Sequence, residues 1–130
     1  MYREELVGYI SDVYSVSADY PFLQYPDVAV FRHNNNKKWF AVIMRIPKSK
    51  LGIDSEEEID IVNFKCSPVL TGSLRNETGM FPAYHMNKSN WISVALDGSA
   101  DAERIKWLID ISYELTAKKT KKSGKEYKNV

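Results

Sequence analysis

The most informative part of the chain is the stretch Pro82-Ala83-Tyr84-His85-Met86-Asn87-Lys88-Ser89-Asn90-Trp91, which runs on to Leu96-Asp97-Gly98-Ser99. Aromatic and β-branched residues fill two runs, Met80 to Met86 and Trp91 to Leu96, and such residues fit a pleated, half-buried surface. The polar connection Asn87 to Asn90 separates the runs, so the pattern predicts a β-hairpin with a loop longer than the minimal turn. Pro82 cannot donate a backbone hydrogen bond, so the first arm is expected at a sheet edge or with a bulge.

Upstream of this hairpin, the chain predicts a helix, three strands and a short second helix. Apolar residues recur at helical spacing over residues 2–14. Ser67 and Pro68 are the residue types of a helix N-cap and a first helical position. The predicted strands and the short helix are Val28 to His33, Lys38 to Ile46, Ile59 to Phe64 and Pro68 to about Arg75.

A final amphipathic helix follows the hairpin. Ser99 is expected to cap its N-terminus, where Asp101 and Glu103 complement the positive end of the helix. Trp107 and Ile111 are expected to widen its buried face. The inner-face residues predicted from the apolar spacing are Ile105, Leu108, Ile109, Ser112 and Leu115.

The element order is therefore α-β-β-β-α-β-β-α. Strands joined by short turns predict an antiparallel sheet with helices packed on one side, which is an α+β fold in a single domain. The loop over residues 15–26 is rich in aromatic residues, which are expected to cover one edge of the core but can also line a ligand site. These loop residues are Tyr20, Phe22, Leu23 and Tyr25.

Composition places the chain among ordinary globular proteins. A hydrophobic fraction of 44% in 130 residues fits one domain with a small core and argues against disorder. No apolar run approaches the length of a bilayer crossing, and the first residues lack a signal-peptide pattern. The single cysteine, Cys66, excludes an internal disulfide and fits a reducing compartment. We therefore expect a cytoplasmic monomer that has no contact with membranes.

Charge divides the chain into two parts. Residues 117–130 carry six lysines against Glu126, a net charge of +5, so residues 1–116 carry −4. We expect a domain over 1–116 and a basic, flexible tail over 117–130. Phosphate neutralisation supplies most of the non-specific affinity of proteins for DNA, and here the basic character lies in the tail rather than in the body.

The sequence contains no motif of an enzyme that we can identify. A glycine-rich phosphate loop, a GxSxG elbow and an HExxH motif are all missing, and two histidines cannot build a three-histidine metal site. The acidic run Glu56 to Asp60 lacks the ligand alternation of a calcium loop. Cys66 and His85 can form a nucleophile–base pair in principle, but a cysteine after a buried strand is usually a small apolar residue. We expect no catalysis, no metal and no cofactor.

Polar residues at the tips of the predicted hairpins are the candidates for binding. Around Asn87 the chain offers hydrogen-bonding groups, a fixed charge on Lys88 and stacking surface on Trp91. The alternative is structural, with Tyr84 and Trp91 in the core while His85 and Asn87 shape the turn. The first hairpin turn, residues 32–38, is likewise polar and basic, and a solvated turn is its ordinary explanation.

Two blocks of the chain resemble the YjbR/MmcQ family of small bacterial proteins. One is the hairpin, with the pattern PxYHMNKxxW followed by LDGS and an amphipathic helix. The other is Asn63-Phe64-Lys65-Cys66-Ser67-Pro68, which is similar to that family's NLKCDP segment. Ser67 stands where the family often has an acidic residue, and Ala83 stands where it often has glycine, which makes a close backbone approach to a ligand less favourable.

The resemblance implies a five-stranded antiparallel sheet in a CyaY-like or secretion-chaperone-like arrangement. It also implies a double wing, in which two β-hairpins straddle nucleic acid; the corresponding wings here are residues 32–38 and 87–90. Lysines on these wings would contact phosphate, and asparagines would contact base edges or the backbone. The candidate nucleic-acid-binding residues are Arg32, Asn36, Lys37, Lys38, Lys65, Arg75, His85, Asn87, Lys88 and Trp91.

Two hypotheses of different classes follow. The first is a non-enzymatic binding module of this family that contacts DNA through its wings and basic tail. The second is a protein-interaction or chaperone-like module that uses an exposed sheet or hairpin edge. An open, uncharged apolar face would favour the second hypothesis, and a sheet fully covered by helices with blunted edges would count against it.

Overall fold

The computed structural model of the protein describes residues 1–117, and the predicted element order and α+β class are confirmed. The basic tail predicted over 117–130 lies outside the described residues except for Ala117, which ends the last helix. A 3-10 turn at Lys48–Leu51 follows the second strand. The helices are α1 (Arg3–Tyr14), α2 (Pro68–Leu74) and α3 (Ala102–Thr116), and the strands are β1 (Ala29–Arg32), β2 (Trp39–Pro47), β3 (Glu58–Lys65), β4 (Met80–Pro82) and β5 (Trp91–Ala95).

The strands form one five-stranded sheet in the order β1-β2-β3-β5-β4, with every neighbouring pair antiparallel. The register can be followed across one row, where Ile43 pairs with Val62, Val62 with Val94, and Val94 with Met80. Because side chains alternate along a strand, this row lies on one face and its immediate neighbours lie on the other.

The helices cover one face of the sheet, which we call the helical face. Ser67 caps α2 as predicted, since its side chain accepts a hydrogen bond from the backbone N–H of Leu70. Apolar side chains of all three helices pack there against alternate residues of the strands. Members of this main core include Leu6, Ile10, Ile43, Val62, Phe64, Cys66, Leu74, Val94, Ile105, Leu108 and Ile109.

A β-bulge on β2 redirects two large aromatic residues. Phe31 pairs with Ala41 but Arg32 pairs with Trp39, so Phe40 is an extra residue on β2. Phe40 therefore lies with Ala41 in the main core, while Trp39 turns towards the opposite face, which we call the open face. The bulge makes an aromatic ring available on the face that the helices do not cover.

The open face has a smaller apolar cluster of its own, built from alternate residues of the central strands. Both edges of the sheet are short or occupied. Strand β4 has three residues and includes Pro82, and Asp19 exchanges both backbone hydrogen bonds with Val30 on the outer side of β1. The buried members of this cluster are Ile46, Ile59, Ile61 and Ala95.

The prediction that the first hairpin arm runs from Met80 to Met86 is wrong beyond Pro82, where β4 ends. Residues 83–86 leave the strand because the backbone N–H of Tyr84 donates to Ser93 Oγ at 2.9 Å, and its carbonyl accepts from Asn63 Nδ2 at 3.1 Å. His85 then takes a left-handed conformation, with φ of 61°. Two buried polar side chains thus draw this segment across the open face instead of along the sheet.

Two predictions for the last helix are also wrong. Its N-cap is Asp101, which accepts from the backbone N–H of Glu103, whereas Ser99 bonds to the side chain of Asp97. Leu115 and Trp107 are 46% and 41% exposed. At about 3.6 residues per turn, Leu115 lies on the flank of the face that meets the sheet, whereas Trp107 lies close to the opposite, outer side of α3. The other predicted inner-face residues, Ile105, Leu108, Ile109 and Ser112, are buried.

The first hairpin turn packs on the end of α3 rather than projecting. His33 is 4% exposed, its Nε2 lies 2.8 Å from Thr116 Oγ1, and its ring lies 4.2 Å from that of Tyr113. Asn36 Nδ2 donates to the carbonyl of Thr116 at 2.9 Å. These contacts attach the turn to the last residues of the helix.

This attachment predicts a pH dependence of stability. Burial lowers the pKa of His33 below its ordinary value of 6.5, although the nearby charge of Glu114 opposes the shift. The unfolded chain therefore takes up the proton first, so the free energy of unfolding should fall as pH drops from about 7 towards 5.5. His33→Gln should flatten this slope in urea titrations, while Asn35→Gln, at an exposed position in the same turn, should keep it. An unchanged slope in His33→Gln would contradict the assignment.

Candidate functional site

A groove of about 510 Å³ crosses the open face, and we call it the sheet groove. Residues of β2 form its floor, and two loops form its walls, one from residues 22–28 and the other from residues 84–86. Its lining is mainly apolar and aromatic. The lining residues are Phe22, Tyr25, Asp27, Val28, Trp39, Val42, Met44, Arg45, Ile46, Pro47, Tyr84, His85 and Met86.

Aromatic contacts occur on both walls of the groove. The Phe22 ring meets the Trp39 ring edge-on, with centroids 6.1 Å apart. On the other wall, the rings of Tyr84 and His85 lie 4.1 Å apart. Loop residue Tyr25 is 61% exposed. The aromatic residues of this loop were expected either to cover an edge of the core or to line a ligand site. Phe22 and Tyr25 fit the second explanation, because they line the groove and remain exposed.

A buried polar network supports the second wall. Ser93 Oγ donates to Asn63 Oδ1, and both residues are fully buried on the open face. The same two side chains hold the backbone of Tyr84, as described above. Buried polar groups without partners are costly, so this closed set of hydrogen bonds determines the path of residues 83–86.

A second set of contacts holds residues 87–90 against α2. Arg75 Nη2 donates to the carbonyl of Lys88 at 2.5 Å, and Thr71 Oγ1 donates to the carbonyl of Ser89 at 3.1 Å. Asn87 Oδ1 accepts from the backbone N–H of Ser89 at 2.8 Å. Asn87 and Arg75 thus have structural roles in this loop, and so does Asn36 in the first turn.

Two cation–tryptophan pairs lie at one end of the sheet, which we call the basic end. Arg32 Cζ is 5.8 Å from the Trp39 ring centroid, and Lys65 Nζ is 5.9 Å from that of Trp91. Arg32 also forms an ion pair with Asp19 at 2.7 Å. Lys65 pairs across strands with Trp91, and Arg32 with Trp39, which places all four residues at the same end.

The other cations at this end are free of ion pairs within residues 1–117: Lys37, Lys38 and Lys88 are exposed, and neither they nor Lys65 have a carboxylate within 4.0 Å. At the opposite end, Arg45 is paired with Glu58 and Asp60. The structure therefore places Arg32 beside Trp39 and Lys65 beside Trp91 at one end of the sheet, with exposed lysines in the adjacent loops. His85 lies apart, on the groove wall.

Several residues of the site escaped the sequence analysis. Val42, Met44 and Met86 looked like ordinary core residues. Asn63 and Ser93 did leave a signal, because each is a polar residue at an inward position of an otherwise apolar strand. That signal indicates a buried polar partner but not which segment it holds.

The structure does not form the Cys66–His85 pair considered above. Cys66 belongs to the core of the helical face, and His85 lines the groove on the opposite face. Burial raises the pKa of the Cys66 thiol to about 11, which disfavours the reactive thiolate. Residues 1–117 contain no group of three or more His, Cys, Asp or Glu side chains placed to hold a metal ion. In the same residues, no helix has the length and apolar character that a bilayer crossing requires.

Comparison with known proteins gives matches over most of the chain. A protein-family model described as YjbR matches residues 11–115. The chain is 42% identical to the Bacillus subtilis protein YyaQ over 88% of its own length and 97% of that protein. It is 33% identical to the Escherichia coli protein YjbR over 63% of its own length and 69% of that protein. Both relatives carry the name uncharacterized protein, so this likeness assigns no activity.

Solved structures agree with the fold. A crystal structure of a protein from Pseudomonas syringae superposes with a TM-score of 0.88 at 44% identity, covering 90% of this chain and all of that one. The Deinococcus radiodurans protein DR2400 superposes with a TM-score of 0.63 at 23% identity, covering 93% of this chain and 79% of that one. The second likeness concerns the fold alone.

Proposed function

The protein belongs to the YjbR family, and from that premise we propose that it is a binding module rather than an enzyme, which receives an apolar segment of a partner protein in the sheet groove. The observation that carries the proposal is the groove itself, with apolar residues exposed on a face that no helix of residues 1–117 covers. We further propose that it acts as a cytoplasmic monomer, in keeping with its reduced cysteine and blunted sheet edges.

The shape of the groove favours a protein segment over a small molecule. Small-molecule sites usually enclose most of the ligand surface, whereas Phe22 and Tyr25 leave one side of this groove open. Half-buried aromatic and methionine side chains such as Trp39 and Met44 are typical of the centres of protein interfaces. The short edges of the sheet argue against binding by strand addition, so the face and not an edge is the contact surface.

The charges in the groove fit an apolar occupant. Asp27 accepts the backbone N–H of Arg45 at 2.8 Å, and the Arg45 guanidinium is engaged by Glu58 and Asp60. The two charged lining residues are therefore already partnered. An apolar segment can cover Arg45 without leaving its charge unpaired, whereas Asp27, whose partner is a backbone N–H, would stay at the solvent-exposed rim of the contact.

Three tryptophans make the proposal testable by NMR. Short random peptides displayed on phage would be selected on the full-length protein, and the tightest would be titrated while the indole N–H signals are followed. Trp39 should shift, whereas Trp107, on α3 at the helical face, should not. Trp39→Ala and Met44→Glu should weaken binding by about tenfold or more, and the matched control Trp107→Ala should not. Selected peptides that shift Trp107 instead, or a selection without any groove-dependent peptide, would refute the proposal.

A second candidate function, DNA binding, is favoured by a different observation. Lys65 and Arg32 lie over tryptophan rings at the basic end, and combined aromatic and cationic groups are typical of surfaces that bind single-stranded nucleic acid. The lysine-rich sequence after Ala117 follows the helix end that contacts Asn36, at the same end of the sheet. The net charge of −4 on residues 1–116 weighs against this function.

DNA binding predicts a steep salt dependence. Fluorescence anisotropy with single-stranded and duplex DNA should show affinity falling as salt rises, and Lys65→Ala with Lys88→Ala should reduce the slope of log K against log salt by about one to two. Truncation after residue 116 separates the body from the tail. If binding disappears when the tail is removed and Lys65→Ala does not change it, the interaction is nonspecific electrostatic attraction by the lysines of the tail.

A further inference from the structure

The lining of the sheet groove includes one carboxylate, on Asp27, and one guanidinium, on Arg45. The Arg45 guanidinium is engaged by the carboxylates of Glu58 and Asp60. Asp27 Oδ2 accepts the backbone N–H of Arg45 at 2.8 Å. Within residues 1–117, no cationic side chain lies within 4.0 Å of the Asp27 carboxylate. Asp27 thus keeps a negative charge in the lining that these residues do not neutralise through an ion pair.

Strand alternation separates the two charges of the lining. Met44 packs against the apolar cluster of the open face, whereas Ile43 lies in the main core on the helical face. Because side chains alternate along a strand, the Arg45 side chain projects towards the helical side of the sheet. The fixed charge that an occupant meets in the groove is therefore negative.

Two consecutive turns fix the loop that carries Asp27. The backbone N–H of Tyr25 donates to the carbonyl of Phe22 at 3.0 Å, and the backbone N–H of Val28 donates to the carbonyl of Tyr25 at 3.1 Å. Asp27 attaches the end of this loop to β2 through its bond to the Arg45 N–H. Since the loop is already held, a partner that binds to it pays a smaller cost in conformational entropy.

We infer that the groove binds a basic-apolar segment of a partner protein, in which an apolar side chain covers Met44 and an arginine pairs with Asp27 at the rim. This inference rests on the proposed function, because it describes the segment that the groove receives. Arginine suits the rim because a guanidinium can pair with a carboxylate and also stack on an aromatic ring. Tyr25 offers such a ring, since it lines the groove from the same loop and is exposed.

Backbone geometry gives the spacing within this segment. Asp27 bonds to the backbone of Arg45, the residue that follows Met44 in β2. Standard bond lengths and angles therefore place the Asp27 carboxylate oxygen roughly 5 Å or less from the Met44 Cα atom. In an extended segment, residues two positions apart point to the same side and lie roughly 7 Å apart. We expect the arginine one or two residues from the apolar anchor.

Charge and composition argue against two other occupants. The Asp27 carboxylate repels a phosphate backbone, so the groove does not suit nucleic acid. The chain's own residues 118–130 are basic, but their large apolar side chains are only Tyr127 and Val130. A groove with a mainly apolar lining buries more of its surface under a segment that is richer in apolar residues.

Synthetic peptides titrated into the full-length protein can test the inference. Each carries a Leu-Phe anchor and either an arginine or a glutamate, placed two or six residues from the anchor, while NMR follows the Met44 methyl and Trp39 indole signals. With the two-residue spacing, the arginine peptide should bind about tenfold tighter than its glutamate counterpart at low salt. Asp27→Asn, which keeps an acceptor for the Arg45 N–H, should reduce this preference to about twofold or less. Asp12→Asn, at an exposed position of α1, is the matched control and should keep it.

The outcomes separate this inference from the proposed function. If the peptides shift the Met44 and Trp39 signals but arginine and glutamate bind equally well, or if Asp27→Asn keeps the preference, the basic-segment inference is wrong and the groove remains the binding site. If no peptide shifts either signal, the proposed function itself fails. If Tyr127→Ser in the full chain tightens peptide binding and shifts the Trp39 signal without peptide, the chain's own last residues are the occupant, which overturns the assignment to a partner protein.

Discussion

Gly79→Ala should destabilise the protein by about 3 kcal/mol, because an L-residue at this position meets both backbone strain and steric overlap. Gly79 has φ of 80°, in the left-handed region. A Cβ atom there would lie 2.9 Å from the Cβ and the backbone N of Ala100, and 2.9 Å from Ser99 Oγ. Backbone atoms cannot move aside as a flexible side chain can, so the connection between β5 and α3 would have to shift.

Two other glycines separate the contribution of backbone strain from that of steric overlap. Gly52 also has positive φ, 84°, but a Cβ there would meet no atom within 4 Å, so Gly52→Ala should cost only the backbone strain of about 1 kcal/mol. Gly72 lies in α2 with open space around it, so Gly72→Ala should stabilise the protein by about 0.5–1 kcal/mol. In urea titrations, Gly79→Ala should be the least stable of the three variants, Gly52→Ala the next and Gly72→Ala the most stable. A Gly79→Ala variant that is at least as stable as Gly52→Ala would contradict the steric argument.

Asn63→Ala should cost about 2–3 kcal/mol and also loosen the wall of the groove. The substitution leaves the Tyr84 carbonyl and the Ser93 hydroxyl without their buried partner. Ser93 would then hold the Tyr84 N–H alone, and residues 83–86 would lose their fixed path. Exchange of the Tyr84 amide hydrogen should accelerate by more than the global loss of stability explains.

The matched control for this prediction is Asn35→Ala, at an exposed position in the first hairpin turn. It should leave both the stability and the Tyr84 exchange rate unchanged. If Asn63→Ala lowers stability while the Tyr84 amide keeps its relative protection, then other contacts hold the wall, and the network serves the core alone.

Local signals in the sequence were sufficient where the structure is determined locally. The cap at Ser67, the helical spacing in α1 and the apolar runs of the central strands each depend on neighbours a few residues away. The predicted cap at Ser99 was wrong because two nearby aspartates form the local hydrogen bonds instead. The Ser99 hydroxyl donates to the Asp97 carboxylate, and Asp101 caps the helix.

The site was harder to predict because distant residues determine it. Asn63 and Ser93 hold Tyr84 across 21 and 9 residues of sequence, so the pattern of the hairpin arm alone favoured a longer strand. Trp39 reaches the open face only because the bulge at Phe40 interrupts the alternation of β2. Lys65 and Trp91 were identified from family resemblance, but their pairing became visible only from the strand register.

The positions of the two ends of the described chain have a practical consequence. Tyr2 forms a bridge to Asp97, beyond the end of β5 that is remote from Trp91, whereas Thr116 bonds to Asn36 beside the cation–tryptophan pairs. A purification tag or surface tether joined directly after residue 117 would therefore start at the end of the sheet that carries Trp39, one of the residues that line the groove. Attachment through the N-terminus would start from the far end of the sheet and present the groove unobstructed to whatever is passed over it.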